Sequence, residues 1–352
     1  MTVTEHRSRS MASAVQVILV DPAHGAHDYA VRRLQELESR WSRFLPESDV
    51  SRLNASPEAL IIVSPDTVRL VAAMRNAWQI TYHRYDPAML SEIRALGYTR
   101  SIAAPSVNEN RKISQGQDLD GTSASPATHA SPASAGRATR RLSCGGSIED
   151  VTIDLATSTV RLPAGVGLDP GGIGKGLAAD LIVTELLERG TGGALVSIGG
   201  DLAAAGTAPS SFDGPAPAAG AEHDIGHPSG VWHVAIEHPL DPSRELMRLA
   251  LASGGIATSS TQSRTWIQDG AHRHHVIDPA TGDCATTDLA AVTVIARAGW
   301  EAEIHATAAL LCGSARALDY LNDHDLSGVV MSLDGSVAMS PDLERNTTCI
   351  SA

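Results

Sequence analysis

The chain has 352 residues, 43% of them hydrophobic, with only two Phe, five Trp and five Tyr, so it can bury a sizeable core built mainly from Leu, Val, Ile and Ala. A formal net charge of −13 argues against a general nucleic-acid binder, and no stretch reaches the roughly 18 apolar residues of a membrane-inserting helix. The cysteines, Cys144, Cys284, Cys312 and Cys349, show no CxxC pair or metal-ligand spacing, and the polar start MTVTEHRSRS has no signal-peptide character, which points to a cytoplasmic protein.

VQVILVD (15–21) reads as a strand, followed by a helix with Ala30, Val31, Leu34, Leu37 and Trp41 at three- and four-residue steps, ending near the turn SRFLPESD. Ser64 as N-cap and Pro65 in the first turn open a second helix through Val68, Val71, Ala72 and Trp78. Between residues 103 and 146 the composition shifts to Ser, Ala, Pro, Thr, Gly and Asn without periodicity. Such a segment cannot offset the entropy of ordering it and reads as a flexible insertion.

VTIDLATSTVRLP (151–163) reads as a hairpin leading into a glycine-rich turn, DPGGIGKG (169–176). A helix from about Lys175 carries Leu177, Ala178, Leu181, Ile182, Leu186 and Leu187 on one face and stops at Gly190. ALVSIGGD (194–201) is a buried strand whose final Asp201 closes a turn, and 232–239, 246–260 and 291–297 supply further strand. The stretch 257–282 reads as a hairpin around Asp269-Gly270, 302–313 as a helix, and 327–340 as a hairpin around Asp334-Gly335. Hairpin-linked strands with interspersed helices predict an α+β fold with a mostly antiparallel sheet, in one domain over 12–340 interrupted by the insertion.

Gly171, Gly172, Gly174 and Gly176 would let the backbone approach a ligand, and the amides opening the next helix favour an anion. A tight structural turn fits the same glycines. The block is neither a P-loop, which needs Gly at 169 and Ser or Thr at 176, nor a dinucleotide fingerprint, which needs Gly at 177. Glu303 and Thr307, four apart on a helix, can converge on one hard cation, although from the residues alone a surface acid and a packing threonine are the plainer reading. His275, with an ordinary pKa of about 6.5, suits a base at neutral pH or a hydrogen-bonded structural role, whereas His272 and His274 alternate with it and should face away.

In order, SRFLPESDVSRLN (42–54), RYDPAM (84–89), DPGGIGKG, SIGGD, ATSS…R with HHVIDPATG, and AEIHATAALLCG (302–313) resemble the ApbE family of FAD:protein FMN transferases over most of residues 30–313. The resemblance implies an ApbE-like flavin transferase fold with FAD in a cleft. It implies an enzyme that moves FMN from FAD to a Ser or Thr hydroxyl of a target flavoprotein, releasing AMP. By the same resemblance Mg²⁺ would be bound by Glu303, Thr307 and the Gly172 carbonyl, with Glu303 standing where the family has Asp, and His275 would lie near the reacting phosphate. Asp86 and Asp169 would flank FAD, Arg84 (mainly through its backbone), Tyr85, Lys175 and Ile277 would contact it, and Phe44 would pack on the flavin side. An FAD pyrophosphatase and a non-catalytic FAD-binding protein are the alternative readings.

Overall fold

A polar strand and an apolar one open the chain. β1 (Val3–Ser10) pairs antiparallel with β2 (Ser13–Val20) through a two-residue turn in which Met11 and Ala12 take left-handed φ values of 50° and 57°. Val15, Val17 and Leu19 of β2 enter one core and Val20 another, the two-residue alternation of a strand covered on both faces. The computed structural model describes residues 1–102, 146–209 and 230–346, so the expected insertion lies, apart from Gly146, outside the described residues.

α1 (Ala26–Trp41) buries Ala26, Ala30, Leu34, Leu37 and Trp41, while Val31 stays only partly covered. The segment after SRFLPES continues as a short helix, α2 (Asp49–Ala55), because the Ser48 side chain accepts from the Ser51 amide and caps it. α3 (Pro65–Ile80) begins as its sequence dictates, with the Ser64 side chain accepting from the Thr67 amide and Pro65 in the first turn. α4 (Leu90–Ala95) follows. β3 (Ile61–Ile62), β4 (Thr152–Asp154) and β5 (Thr159–Arg161) form a small sheet in the order β3-β5-β4, confirming the hairpin at 151–163.

α5 (Gly174–Glu188) is followed by Gly190 at φ 93°, then by β6 (Gly193–Ile198) and β7 (Asp201–Gly206). Gly199 and Gly200, at φ 64° and 95°, make the turn between these strands, so Asp201 opens a strand where the sequence reading had it close a turn. β8 (Trp232–Glu237) pairs with β9 (Glu245–Leu251), and β10 (Gly254–Ser260) joins the main sheet.

The expected hairpin over 257–282 is therefore divided. Its first residues belong to β10, and only β11 (Thr265–Gln268) and β12 (Ala271–His274) form the hairpin around Asp269-Gly270, whose φ values are 51° and 78°. β13 (Ile277–Asp278) and β14 (Asp283–Cys284) pair separately. β15 (Leu289–Ala296), α6 (Gly299–Cys312), α7 (Ser314–Asp323), β16 (Ser327–Ser332), β17 (Val337–Met339) and α8 (Pro341–Asn346) complete the described chain.

Eight strands form one sheet in the order β1-β2-β6-β7-β10-β15-β16-β17, every neighbouring pair antiparallel, which is the expected α+β arrangement. α5 and α6 pack on the sheet and on each other. The β8–β9 hairpin brings Trp232, Ile236 and Leu249 into a second core with Val20, Leu202 and Ile256 of the sheet. No helix among the described residues is long and apolar enough to cross a membrane.

The helix pair fixes the site. A Cβ at Gly176 would collide with the Gly299 carbonyl, so the first turns of α5 and α6 meet backbone to backbone. The Asp180 carboxylate reaches from α5 to accept from the Gly299 and Trp300 amides at 2.7 and 3.0 Å, capping α6 from its neighbour. Burial raises the Asp180 pKa to about 6, against the opposing pull of those two amides.

Candidate active site

One cavity lies where the opening turns of α5 and α6 face the loop before α4 and the segment after α1. It is lined by the residues expected to hold FAD, the metal or the reacting proton, namely Phe44, Arg84, Tyr85, Asp86, Asp169, Gly172, Lys175, His275, Ile277, Glu303 and Thr307, and by Gly171 and Gly174 but not Gly176 of the glycine-rich turn. It also takes in Arg43, Tyr98, Asp201, Ser259 and Arg264, for which the sequence reading had no site role.

At its polar end Lys175 forms an ion pair with the buried Asp201, and its Nζ lies 3.4 Å from Glu303 Oε1. Glu303 Oε2 accepts from the Gly176 amide at 2.8 Å in the first turn of α5. The Lys175–Glu303 separation is that of an ion pair, and Oε1 is buried with no hydrogen-bond partner among the described residues. Burial pushes the Lys175 pKa down, while the Glu303 charge opposes that shift. One helical turn on, Thr307 Oγ1 lies 2.9 Å from Ser259 Oγ and 3.3 Å from the Glu303 carbonyl.

The donor set available to a cation is thus a carboxylate oxygen, a hydroxyl and main-chain carbonyls, which suits a hard divalent ion. Among the described residues no group of three or more His, Cys, Asp and Glu is arranged for a metal, so hydroxyl and main-chain oxygens would have to complete the shell. Gly172 lies against the Tyr85 ring, where an added Cβ would come within 2.8 Å of a ring carbon. Only glycine lets the turn sit this close.

The loop carrying Arg84, Tyr85 and Asp86 is held by Thr81, whose hydroxyl donates to the Ala77 carbonyl at 2.7 Å and accepts from the Tyr85 amide at 3.1 Å. Tyr82 and His83 take left-handed φ values of 51° and 66°, and the His83 ring stacks on Trp78 at 3.6 Å. Asp86 Oδ1 accepts from the Ala88 amide at 2.9 Å. The Tyr85 hydroxyl is buried without a hydrogen-bond partner among the described residues. Burial first, then the charges of Glu303, Asp169 and Asp86, raise its pKa well above the ordinary phenol value, so it remains a neutral donor. The Arg84 guanidinium lies 5.9 Å from the Tyr320 ring centre.

His275 follows β12. Its Nδ1 is 3.2 Å from the Ser263 carbonyl, which can only accept, so Nδ1 carries the proton and Nε2 the lone pair. Burial, then the positive charges of Arg264 and Lys175, lower its pKa to about 3. His274 turns instead to the Ala285 carbonyl at 3.1 Å, His272 is exposed, and neither lines the cavity. Ile277 enters from β13.

At the other end Asp169 Oδ1 accepts from the Gly171 amide at 3.0 Å, and Oδ2 pairs with Arg43 Nε at 3.1 Å. The Arg43 guanidinium carbon lies 4.2 Å from the Phe44 ring centre and 4.7 Å from that of Tyr98, which stacks on Trp266 at 5.2 Å. Arg43 adjoins Phe44 in the first motif. Tyr98 and Trp266 come from outside every motif, and nothing in the sequence joins them before folding.

A family model described as the ApbE family matches residues 11–330. The chain belongs to the ApbE family. Among curated ApbE relatives, the FAD:protein FMN transferase of Treponema pallidum is 32% identical over 48% of this chain and 44% of its own length. That of Escherichia coli K12 is 29% identical over 48% of this chain and 43% of its own length. In these matches the chain spans under half the length of the curated relatives. The crystal structure of the ApbE protein of Thermotoga maritima superposes with a TM-score of 0.72 at 19% identity, covering 98% of this chain and 99% of the other. The Pseudomonas stutzeri flavinyl transferase ApbE gives 0.69 at 21% identity, over 98% and 96% of the two chains. The architecture described above is therefore the ApbE fold.

Proposed function

We propose that the protein transfers FMN from FAD to a Ser or Thr hydroxyl of a target flavoprotein and releases AMP, with Mg²⁺ as its metal. The observation that carries this reading is the meeting, in one cavity, of a neutral histidine whose Nε2 lone pair is free and an anion-receptive turn with a lysine and hard oxygens. In the reaction the acceptor hydroxyl oxygen bonds to the phosphorus bearing the riboflavin chain, and the bond from that phosphorus to the AMP oxygen breaks. The electron pair leaves with AMP. The hydroxyl proton passes to Nε2 of His275.

In the ligand-free protein His275 is a weak base, because its pKa is only about 3. Binding of an anionic pyrophosphate beside Arg264 and Lys175 offsets two of the charges that depress it and moves its basicity toward the ordinary value. Lys175, at the positive end of the α5 dipole, receives the phosphates, and Tyr85 has a hydroxyl proton to donate. Glu303 Oε1, Thr307 Oγ1 and the Gly172 carbonyl are the oxygens that would hold Mg²⁺; Oε1, buried with no hydrogen bond among the described residues, supports the fit. Bound there, the ion would neutralise charge on the pyrophosphate. Asp86 and Asp169 fix the loops flanking the ligand, while Arg84, Ile277 and Phe44 line its path.

The test is incubation with FAD, Mg²⁺ and a candidate acceptor flavoprotein, followed by assay of AMP and of flavin that stays on the acceptor after denaturation. Both should appear. FMN and AMP without labelled acceptor would make the protein an FAD pyrophosphatase, and unconsumed but bound FAD would make it a binding protein.

A further inference from the structure

The guanidinium of Arg43 is held on nearly every side. Phe44 and Tyr98 pack on it, Nε pairs with Asp169 at 3.1 Å, and Nη1 donates to the Tyr98 carbonyl at 3.1 Å. Its side chain is only 3% exposed, and Nη2 is buried with no hydrogen-bond partner among the described residues. A buried cationic donor left open costs stability, and because Arg43 lines the cavity, an acceptor on a ligand there would satisfy it.

The side chains lining the cavity around Arg43 are apolar and partly aromatic: Phe44, Met89, Ile93, Tyr98 and Ile277. This lining suits an aromatic ring system. The ion-paired groups Lys175, Asp201 and Glu303 gather elsewhere in the cavity, where a lysine can meet phosphates. Of the two rings of FAD, the flavin carries ring carbonyls, which accept from a guanidinium N–H. Adenine's ring-nitrogen acceptors N1 and N7 each lie beside its amino group, a donor that would face the Arg43 donors.

We infer that Arg43 is a specificity-determining residue of the cavity, donating from Nη2 to a ring carbonyl of the flavin and so setting the orientation in which FAD binds. The inference rests on the reading of this cavity as an FAD site. Asp169 holds the guanidinium in place, and its own carboxylate is fixed by the Gly171 amide at 3.0 Å. The aromatic end and the glycine-rich turn are therefore linked through one ion pair.

The experiment compares the whole protein with Arg43→Lys, which keeps a cation for Asp169 and removes the Nη2 fork, and with Arg43→Met, by calorimetric titration with FAD, FMN and AMP. Thermal melts of the ligand-free proteins check that each variant is folded. Arg43→Lys should weaken FMN and FAD binding by about tenfold or more and leave AMP within about twofold, as expected for loss of a charge-assisted hydrogen bond. Infrared difference spectra of bound FMN should show a flavin carbonyl stretch at lower frequency in the unaltered protein than in Arg43→Lys, a shift that lost packing alone would not produce. Should Arg43→Met misfold, Arg43→Lys and the spectrum still decide. Equal losses for AMP and FMN, a loss confined to AMP, or an unmoved carbonyl band would each overturn the inference while leaving FAD binding intact. Failure of the unaltered protein to bind FAD or FMN would instead remove the reading on which it rests.

Discussion

The two ends of the cavity are built by opposite means. At the polar end, side chains from two long helices and a central strand meet: Lys175 from α5, Glu303 from α6 and Asp201 from β7. At the aromatic end the parts come from short elements: Arg43 and Phe44 from the segment after α1, Tyr98 from the turn after α4, and Trp266 from the two-stranded hairpin. The polar end is framed by regular elements that hold its charges. The aromatic end is a set of short segments cross-linked by ring contacts. On the proposed function, turnover should depend on the first and affinity on the second.

That division is breakable. The largest effect is expected for Glu303→Gln, which keeps size and removes the charged oxygen. AMP release under saturating FAD and Mg²⁺ should fall by about a hundredfold or more, with Glu303→Asp retaining part of it. Full Mg²⁺-dependent turnover in Glu303→Gln would strip Glu303 of its assignment as an essential ligand. His275→Ala should lower turnover by about a hundredfold while FAD affinity changes little, because the lost group takes a proton only during transfer. A matching loss of affinity would move His275 from chemistry to structure.

At the aromatic end Tyr98→Leu should do the reverse, weakening FMN binding several-fold with turnover at saturation nearly intact, since one face of the Arg43 sandwich is removed. Equal damage to turnover would erase the contrast between the ends.

The smallest effect is in acid. His275 and His305 have pKa values lowered by burial to about 3 and about 4 from 6.5, so the unfolded chain binds more protons below pH 6.5 and stability is lost as pH falls through that window. Asp180, raised from 3.8 to about 6, works in the opposite sense below pH 6 and recovers part of the loss. The ligand-free protein should therefore melt at a lower temperature at pH 5 than at pH 7.5. The drop should shrink with FAD bound, as its phosphates oppose the charges acting on His275. Identical drops with and without FAD would show that the ligand's charge does not reach this histidine.

Much of the fold and part of the polar end were legible because local sequence rules dictate them. The Ser64-Pro65 cap, the Asp269-Gly270 turn, the glycine-rich entry to α5 and the four-residue spacing of Glu303 and Thr307 are short-range statements that the fold preserves. Asp201 was misplaced because its significance is not local: the Gly-Gly pair before it is a hairpin turn, and its partner Lys175 lies 26 residues earlier. β1 has an alternation of charged and polar residues that no apolar pattern announces; pairing with β2 makes it a strand. Arg43 and Tyr98, 55 residues apart, meet only through tertiary packing, which is why the aromatic end could not be assembled from motifs.

The ion pairs around Lys175 bear on cooperativity. Glu303 accepts from an amide 127 residues away, and Asp201 arrives on a separate strand, so the lysine meets its counter-charges only when the helix pair and the middle of the sheet are all in place. A chain in which α5 had docked without β15 and α6 would bury an ammonium lacking one of its carboxylates, a costly state. Partly assembled forms are thereby penalised, and the two flanks of the large sheet should melt in a single transition rather than one after the other.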